Sequence, residues 1–440
     1  MKKFLALLLA LLMAATLFVG CAKEETGTEK TDTEKSDTTD TADEVVEGDQ
    51  RYAGVKLIYW DGTNEGTADY DATVANIEKW EAMTGAEVEY HAYGADLNTL
   101  LPTTLEAGEP LDVYTLGSVI QASSNLQYSL DITEYVEATD MIERGYPVFW
   151  DQIRNWIEGA DGRIYGVPTT PSFTSFWYNK AAFDAAGIEG TPATIEEFED
   201  ACDKLIAAGY HPIALDSAYA MSYFGVHIQA YVGEETVEDL VVNGGWAENE
   251  DAVRAFQKII DWVDAGYFDP NSPSEWPASQ NMIGLDESNA MVYSGIWIPG
   301  EVEEMTGADL DWGCFLYPAV TDGKGVYGTS LSNGVMTINK NCENPDAAFD
   351  FIYFMKTGEP DQLYSDAARY IPCDSTNTPL SDFDGAMELL SSVEAPINYA
   401  GGLLANPDIK TSVTDTIIQL YSGEFADGME AAQAFDALVQ

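Results

Sequence analysis

Basic residues are scarce. The 440-residue chain carries 20 Lys and Arg against 75 Asp and Glu, a formal net charge of −55. That balance argues against nucleic acid, because affinity for a phosphate backbone rests on Lys and Arg, and against an anionic membrane surface for the same reason. It favours a soluble monomer. It does not imply a cationic ligand, since most of these carboxylates form a solvated face. Histidine is rarer still: His91, His211 and His227 form no HExxH pair. Apart from Cys21, the cysteines Cys202, Cys314, Cys342 and Cys373 stand far apart with no CxxC, which argues against a metal cluster. Cys202 falls on an apolar helix face and reads as a core thiol. There is no GxxxxGK[ST] loop and no GxSxG elbow. No metal and no cofactor is expected. After residue 20 no apolar run approaches the length of a membrane span.

The first residues are different. Lys2 and Lys3 precede an apolar run from Phe4 to Gly20, the pattern of an export signal. Phe18-Val19-Gly20-Cys21 resembles the lipobox of bacterial lipoproteins, with Phe18 where that family usually has Leu. The resemblance implies a signal peptide over 1–20 and lipidation of Cys21. The remainder would then be held at the cell surface, on the outer face of the cytoplasmic membrane, touching the bilayer through the lipid anchor alone. Residues 21–50 are mostly Thr, Glu, Asp and Lys with no aromatic residue, and cannot bury enough apolar surface to offset their ordering entropy. They read as a disordered tether that, fully stretched, reaches about 100 Å.

From Val55 the chain has the composition of a folded body: 46% hydrophobic and 12% aromatic residues overall supply real cores. At roughly 150 residues per domain it holds two or three domains. Val55 to Trp60 reads as a buried strand closed by Asp61-Gly62. A helix over about 70–84 stops at Gly85, and Val88 to Tyr90 and Asp112 to Leu116 read as strands. Thr194 and Glu197 open a helix over 195–208 as a capping box, with Ile195, Phe198, Cys202 and Leu205 on one face and Gly209 as its stop. Ile213 to Leu215 is a strand. A helix over about 251–265 places Val253, Phe256, Ile260 and Val263 on one side. Another starts at Asn344-Pro345 and runs to Gly358. Alternating strands and helices predict α/β layers with largely parallel sheets.

Four segments, in order, carry a family resemblance. They are Ile164-Tyr-Gly-Val-Pro168 with Phe176-Trp-Tyr-Asn-Lys180, Phe183, Ala186-Gly-Ile188, Pro192 and Glu197-Phe198; Ala290-Met291 with Gly295-Ile296-Trp297; Asp311-Trp312-Gly313 with Pro318; and Gly334 to Asn339 with Asn344-Pro345-Asp346-Ala347-Ala348. Together they resemble the extracellular solute-binding proteins of bacterial ABC importers, in the carbohydrate-binding family that includes maltose-binding protein. The resemblance implies an α/β, two-lobed periplasmic-binding-protein-like fold (type II), with hinge crossovers and a ligand cleft. One lobe would hold 51–168 plus 329–370, the other 172–316 plus 371–440. It also implies no catalysis, a carbohydrate ligand held by hinge closure, and delivery to a permease whose ATPase is a separate subunit.

A sugar needs flat aromatic platforms for its C–H faces and amides or carboxylates for its hydroxyls. With 10 Trp and 24 Tyr the platforms exist, and in α/β sheets the cleft lies beyond the carboxyl ends of strands. That rule selects Trp60 and Asp61 at the end of the first strand, Ser118 after the 112–116 strand, and Asp216 and Tyr219 after the 213–215 strand; Asn333, just before the 334–338 strand, is a further candidate. The family resemblance adds Ser172, counted back from Tyr178-Asn179-Lys180, and Trp297 at the Gly-x-Trp position, whose ring stacks on sugar. Each has a plainer alternative: core packing for Trp60 and Trp297, turn capping for Asp61 and Ser118, hinge packing for Ser172. Tyr178 reads as core, and Tyr399 as a further platform in a stretch with no aligned motif. The competing functions are the same fold binding a peptide or polyol, and a secreted glycoside hydrolase, since two spaced carboxylates suffice for one.

Overall fold

The computed structural model describes residues 49–439 apart from Asp384 and Glu394. The expected signal segment, Cys21 and all but the last two residues of the expected tether lie outside the described residues.

The first strand, β1 (Lys56–Asp61), buries alternate residues Leu57, Tyr59 and Asp61, the period-2 pattern of a sheet with one face on a core. The helix Ala68–Thr84 follows and ends where Gly85, at φ 75°, turns its N–H back to the Glu81 carbonyl. The remaining strands are β2 (Glu87–Ala92), β3 (Val113–Leu116), β4 (Val167–Asn179), β5 (His211–Ala214), β6 (Asn289–Gly295), β7 (Trp312–Phe315), β8 (Gly328–Ile338) and β9 (Ala395–Ile397). Their order is β2-β1-β3-β8-β4-β6-β5, with β7 beside β4 and β9 beside β8.

The expectation of largely parallel pairing is corrected here. β1 pairs in parallel with β2 and β3, β5 with β6, and β8 with β9. β4 and β8 run antiparallel to each other and to their other neighbours β3, β6 and β7. An apolar run reports burial and not strand direction, so the sequence pattern could not separate the two.

β4 and β8, with 13 and 11 residues, organise the molecule. One hydrophobic core is built on β1, β3 and the far end of β8, around Leu57, Trp80, Val113, Val335 and Ile338. A second lies around Phe176, Phe198, Tyr223, Phe256 and Met291. Val167 belongs to the first core and Phe173 to the second; Val335 belongs to the first and Leu331 to the second. Both long strands therefore pass from one core to the other, at residues 168–172 and 332–334. This is a two-lobed α/β arrangement. At the β4 crossing the register with β8 shifts between Thr169 and Ser172, and Thr170 sits at φ 45°, a costly conformation for a β-branched residue. Opposite it, Gly334 admits close backbone approach: a Cβ there would stand 2.4 Å from Thr169 Oγ1.

The chain also passes between cores near residue 379, after Thr378, whose N–H donates to Gln362, and before Leu380 and Phe383 at the second core. Ile371 is in the second core. Cys373 and Asp374, however, donate their N–H groups to Asp361, and Arg144 Nε donates to Asp374 at 2.8 Å. These bonds hold that stretch against the helix Gly358–Ala368, beside the first core.

The helix Ile195–Ala208 matches its expected bounds, and Thr194 Oγ1 accepts the Glu197 N–H. The capping box is incomplete, because the Glu197 carboxylate accepts from Ala193 N instead of Thr194 N. The helix Glu250–Asp264 buries Ala252, Ala255, Phe256, Ile259, Ile260 and Trp262, and Val253 and Val263, half-buried, pack against the same core. One helix reading is corrected. The helix from Pro345 ends at Met355, and Gly358 opens a second helix, Gly358–Ala368. Cys202 is buried, and among the described residues the cysteines form no disulfide.

Candidate functional site

The two crossings do more than connect the cores. Ser172, Ser332 and Asn333 line a cavity of about 420 Å3 that also takes in Ser118, Trp156, Phe173, Trp297 and Tyr399. Thr169, Thr170 and Gly334 line a second, of about 210 Å3, with Asp61, Lys356 and Tyr370. A third, of about 450 Å3, lies on the other side of Trp297, between it, Glu303, Arg369 and Tyr370. Trp297 is shared by two of these spaces and Tyr370 by two. Their sizes suit a small solute.

The 420 Å3 cavity is aromatic and uncharged. Among the described residues that line it there is no Asp, Glu, Lys, Arg or His, which stands out in a chain of net charge −55. Its polar groups are hydroxyls and amides. Ser118 Oγ accepts the Gln121 N–H at 3.3 Å as the N-cap of the helix Val119–Asn125, so it is both a capping serine and a lining residue. Asn333 is buried. Its Nδ2 donates to Gln152 Oε1 at 2.7 Å, Gln152 Nε2 donates to the Leu331 carbonyl at 3.0 Å, and Asn333 Oδ1 has no hydrogen-bond partner in the protein. Trp297 follows β6 and begins the helix Ile298–Thr306. Its ring lies over Gly295, where a Cβ would stand 2.1 Å from Cζ3. The Gly in Gly-x-Trp is thus the space that the indole occupies.

Asp61 lines the 210 Å3 cavity with its carboxylate already held. Oδ1 accepts from Tyr90 OH and Thr63 N, each at 2.9 Å, and Oδ2 accepts from Tyr59 OH at 3.0 Å. Burial, reinforced by Asp61, pushes both phenols up and keeps them donors. Lys356, at the end of the helix Pro345–Met355, brings an ammonium to the same space, 4.6 Å from the centroid of the Tyr364 ring.

Three sequence-selected residues stand elsewhere. Trp60 points to the opposite face of β1 from Asp61 and packs edge-on against Tyr93, 4.6 Å between centroids; it takes the core alternative. Asp216 is fully buried and accepts from Ser274 Oγ at 2.7 Å, Ser279 N at 2.8 Å and Gln280 N at 3.0 Å. Those bonds satisfy the first turn of the helix Ala278–Leu285. Tyr219 is buried behind Trp297: its hydroxyl accepts the Trp276 indole N–H at 2.9 Å. Burial pushes its pKa up to about 12, against the lowering effect of the Trp297 indole.

Sequence reasoning did not select Trp156, Phe173 or Ile120. Tyr399, proposed there without an aligned motif, does line the cavity. It follows the short strand β9 and is 47% exposed. Its loop is fixed from behind, where Glu234 accepts from the backbone and side-chain amides of Asn398 and Gly225 packs directly on Ala400 and Gly401.

Two cores joined by crossing strands, with a solute-sized cavity at the crossings, define a receptor that encloses small molecules. The family model for bacterial extracellular solute-binding proteins matches residues 64–360, and the chain belongs to that family. Over 282 residues it is 20% identical to the multiple sugar-binding protein of Streptococcus mutans, covering 62% of this chain and 64% of that one. It is 24% identical over 205 residues to a binding protein of Brucella abortus, covering 44% of this chain and 47% of the relative. The chain thus spans about half the length of the Brucella relative. Among solved structures it resembles RafE from Streptococcus pneumoniae, with a TM-score of 0.67 and 16% identity, covering 88% of this chain and 97% of that one. RafE is also known in complex with raffinose. Among the described residues no helix is long and apolar enough to cross a membrane.

Proposed function

We propose that the protein captures an uncharged carbohydrate, an oligosaccharide, between its two lobes and delivers it to the permease of an ABC importer. The observation that carries this reading is the charge-free aromatic cavity at the crossings, where Trp297 lies fixed over Gly295 beside Ser118, Ser172 and Asn333. An aromatic ring offers an apolar face to sugar C–H groups, and the surrounding hydroxyls and amides pair with sugar hydroxyls. A multiple sugar-binding relative and a raffinose-bound structural neighbour support the same class.

In this reading the lobes are the two cores, with the expected boundaries at 329 and 371 moved to the crossings. They close by rotation at 168–172, at 332–334 and near 379. A ligand favours closure only as far as it contacts both lobes at once. Cys21 carries the lipid, residues 22–50 form the tether, and the body works as a monomer on the outer face of the cytoplasmic membrane.

The test is a titration of the full chain carrying Cys21→Ser, which keeps it unlipidated. Malto-, xylo-, manno- and galacto-oligosaccharides, monosaccharides, peptides and polyols are followed by tryptophan fluorescence and melting temperature, with an assay for new reducing ends. Saturable binding of one oligosaccharide series near micromolar Kd, about −8 kcal/mol, without product, is the expected result. Binding only to peptides or polyols overturns the sugar assignment, and release of reducing ends makes the protein a hydrolase.

A further inference from the structure

The 420 Å3 cavity is lined by two side-chain amides, Asn333 on β8 and Asn398 just after β9. An amide donates from its nitrogen and accepts at its oxygen, so what it offers a solute depends on which end the protein holds. At Asn333 the holder is Gln152, fully buried on the helix Pro147–Asn155. Gln152 Nε2 donates to the Leu331 carbonyl at 3.0 Å. A carbonyl can only accept, so the nitrogen of Gln152 belongs on that side and Oε1 on the other. Oε1 in turn can only accept, which fixes Asn333 Nδ2 against it at 2.7 Å. The chain of constraint ends at Asn333 Oδ1, a buried acceptor that no group of the protein pairs.

Asn398 is held the same way from a different element. Its Nδ2 and its backbone N–H both donate to the carboxylate of Glu234, at the start of the helix Glu234–Asn243. A carboxylate offers acceptors alone, so Oδ1 is again the end left over. The serines of the cavity, Ser118, Ser172, Ser330 and Ser332, can turn their hydroxyls either way; the two amides cannot. We propose that Gln152 and Glu234 are positioning residues that turn both amides oxygen-first toward the solute, so that the cavity selects its ligand by hydroxyl hydrogens donated at two positions. This deepens the carbohydrate reading above and rests on it. A sugar O-methylated or O-acylated at either position has no hydrogen to give there and leaves an acceptor unpaired. The ligand class is thus a carbohydrate whose hydroxyls are free at both positions.

The experiment is calorimetric titration of the full chain with Cys21→Ser. The probes are maltotriose, xylotriose, mannotriose and galactotriose; the tightest is then replaced by its monodeoxy and monofluoro derivatives, one hydroxyl at a time. Fluorine keeps a weak acceptor and loses the donor, whereas hydrogen loses both. The expected result is two positions at which the deoxy sugar binds about tenfold more weakly and the fluoro sugar no better than the deoxy. Fewer than two positions of this kind overturn the inference while leaving the carbohydrate reading intact. If none of the four trisaccharides binds, the carbohydrate reading fails and this inference fails with it. Two variants separate positioning from structure. Gln152→Met should weaken the unmodified sugar about tenfold and flatten the deoxy penalty at one of the two positions alone, and Glu234→Ala should flatten it at the other. Equal losses for the unmodified sugar and every derivative mark a merely structural role and overturn the assignment of that residue. The comparison of fluoro with deoxy sugars on the parent chain decides the polarity of the site even where a variant fails to fold.

Discussion

The indole of Trp297 lies directly over the Gly295 backbone, so close that a Cβ on Gly295 would stand 2.1 Å from Cζ3. No side chain fits between them. Gly295→Ala therefore displaces the ring from its place at the junction of the two larger cavities. Overpacking of this kind costs roughly 1–3 kcal/mol, and here the ring absorbs it by moving. We expect Gly295→Ala to weaken binding of the oligosaccharide found by titration about tenfold. Trp297→Ala should remove about 2 kcal/mol, near 30-fold, as an aromatic anchor does. Calorimetric titration of both variants checks this; a Gly295→Ala protein that binds like the parent would show that the ring position is not what the solute reads.

Tyr399 depends on a contact made behind it. Glu234 accepts from Asn398, and Gly225 leaves room for Ala400 and Gly401. Tyr399→Ala is expected to weaken sugar binding about tenfold, with Tyr399→Phe close to the parent. Glu234→Ala should give a smaller loss in the same direction, because it frees the loop without removing the ring. Calorimetry again decides, and an unaffected Tyr399→Ala would remove this residue from the site.

Much of the site was legible from one geometric rule, that ligands meet the ends of strands. It points to Ser118 and Asp61, and the Gly-x-Trp resemblance to Trp297; these line the cavities, as does Asn333, read as preceding a strand and found inside β8. The same rule selected Asp216 and Tyr219, where a stronger local demand prevails. The helix Ala278–Leu285 starts inside the protein with unpaired N–H groups, and Asp216 answers them. Trp60 was misplaced by one residue of alternation: on β1 it faces away from Asp61. Tyr399 follows a strand of three residues, too short to leave a periodic signature. Ile120 and Trp156 reach the cavity only through tertiary packing. In the fold, the helix Ile195–Ala208 was readable because Thr194 and Gly209 mark both ends. The continuity of β4 was not, since its two ends serve different cores.

Arg144 and Asp374 form a pair that ties the chain near residue 379 to the first core. Asp374 is buried and also accepts from Gly358 N at 2.7 Å and Thr376 Oγ1 at 2.7 Å. Burial alone would raise its pKa, but the Gly358 and Thr376 donors and Arg144 hold it below the usual carboxylate range. Losing one partner of a buried pair costs several kcal/mol; with Arg144 29% exposed, about 2–3 kcal/mol is expected for Asp374→Asn at neutral pH. The depressed pKa sets the sign. The carboxylate's contribution is present above the unfolded pKa and is lost as pH falls through the lower folded value. Urea midpoints of parent and variant should thus differ at pH 7 and converge in acid; a difference that grows in acid would contradict the assignment.

His227 works in the opposite chemical sense on the same axis. It is fully buried, its Nε2–H donates to the Ala255 carbonyl at 2.9 Å, and Nδ1 accepts from Tyr317 OH at 2.5 Å. Burial lowers its pKa from 6.5 to about 3, opposed by the Ala255 bond. Between those values the unfolded chain binds a proton that the folded protein refuses. The unfolded state therefore holds more protons, and stability falls as pH falls through that window, by at most about 1.4 kcal/mol per pH unit from this group. His227→Gln keeps a donor and an acceptor but cannot titrate. It should be less stable than the parent at pH 7, where the fitted imidazole is lost, and should lose stability less steeply between pH 6 and pH 4. Melting temperatures of both proteins across that range give the comparison. Parallel curves would mean that His227 is not the group that takes up the proton on unfolding, and that the acid sensitivity of the second core lies in its carboxylates.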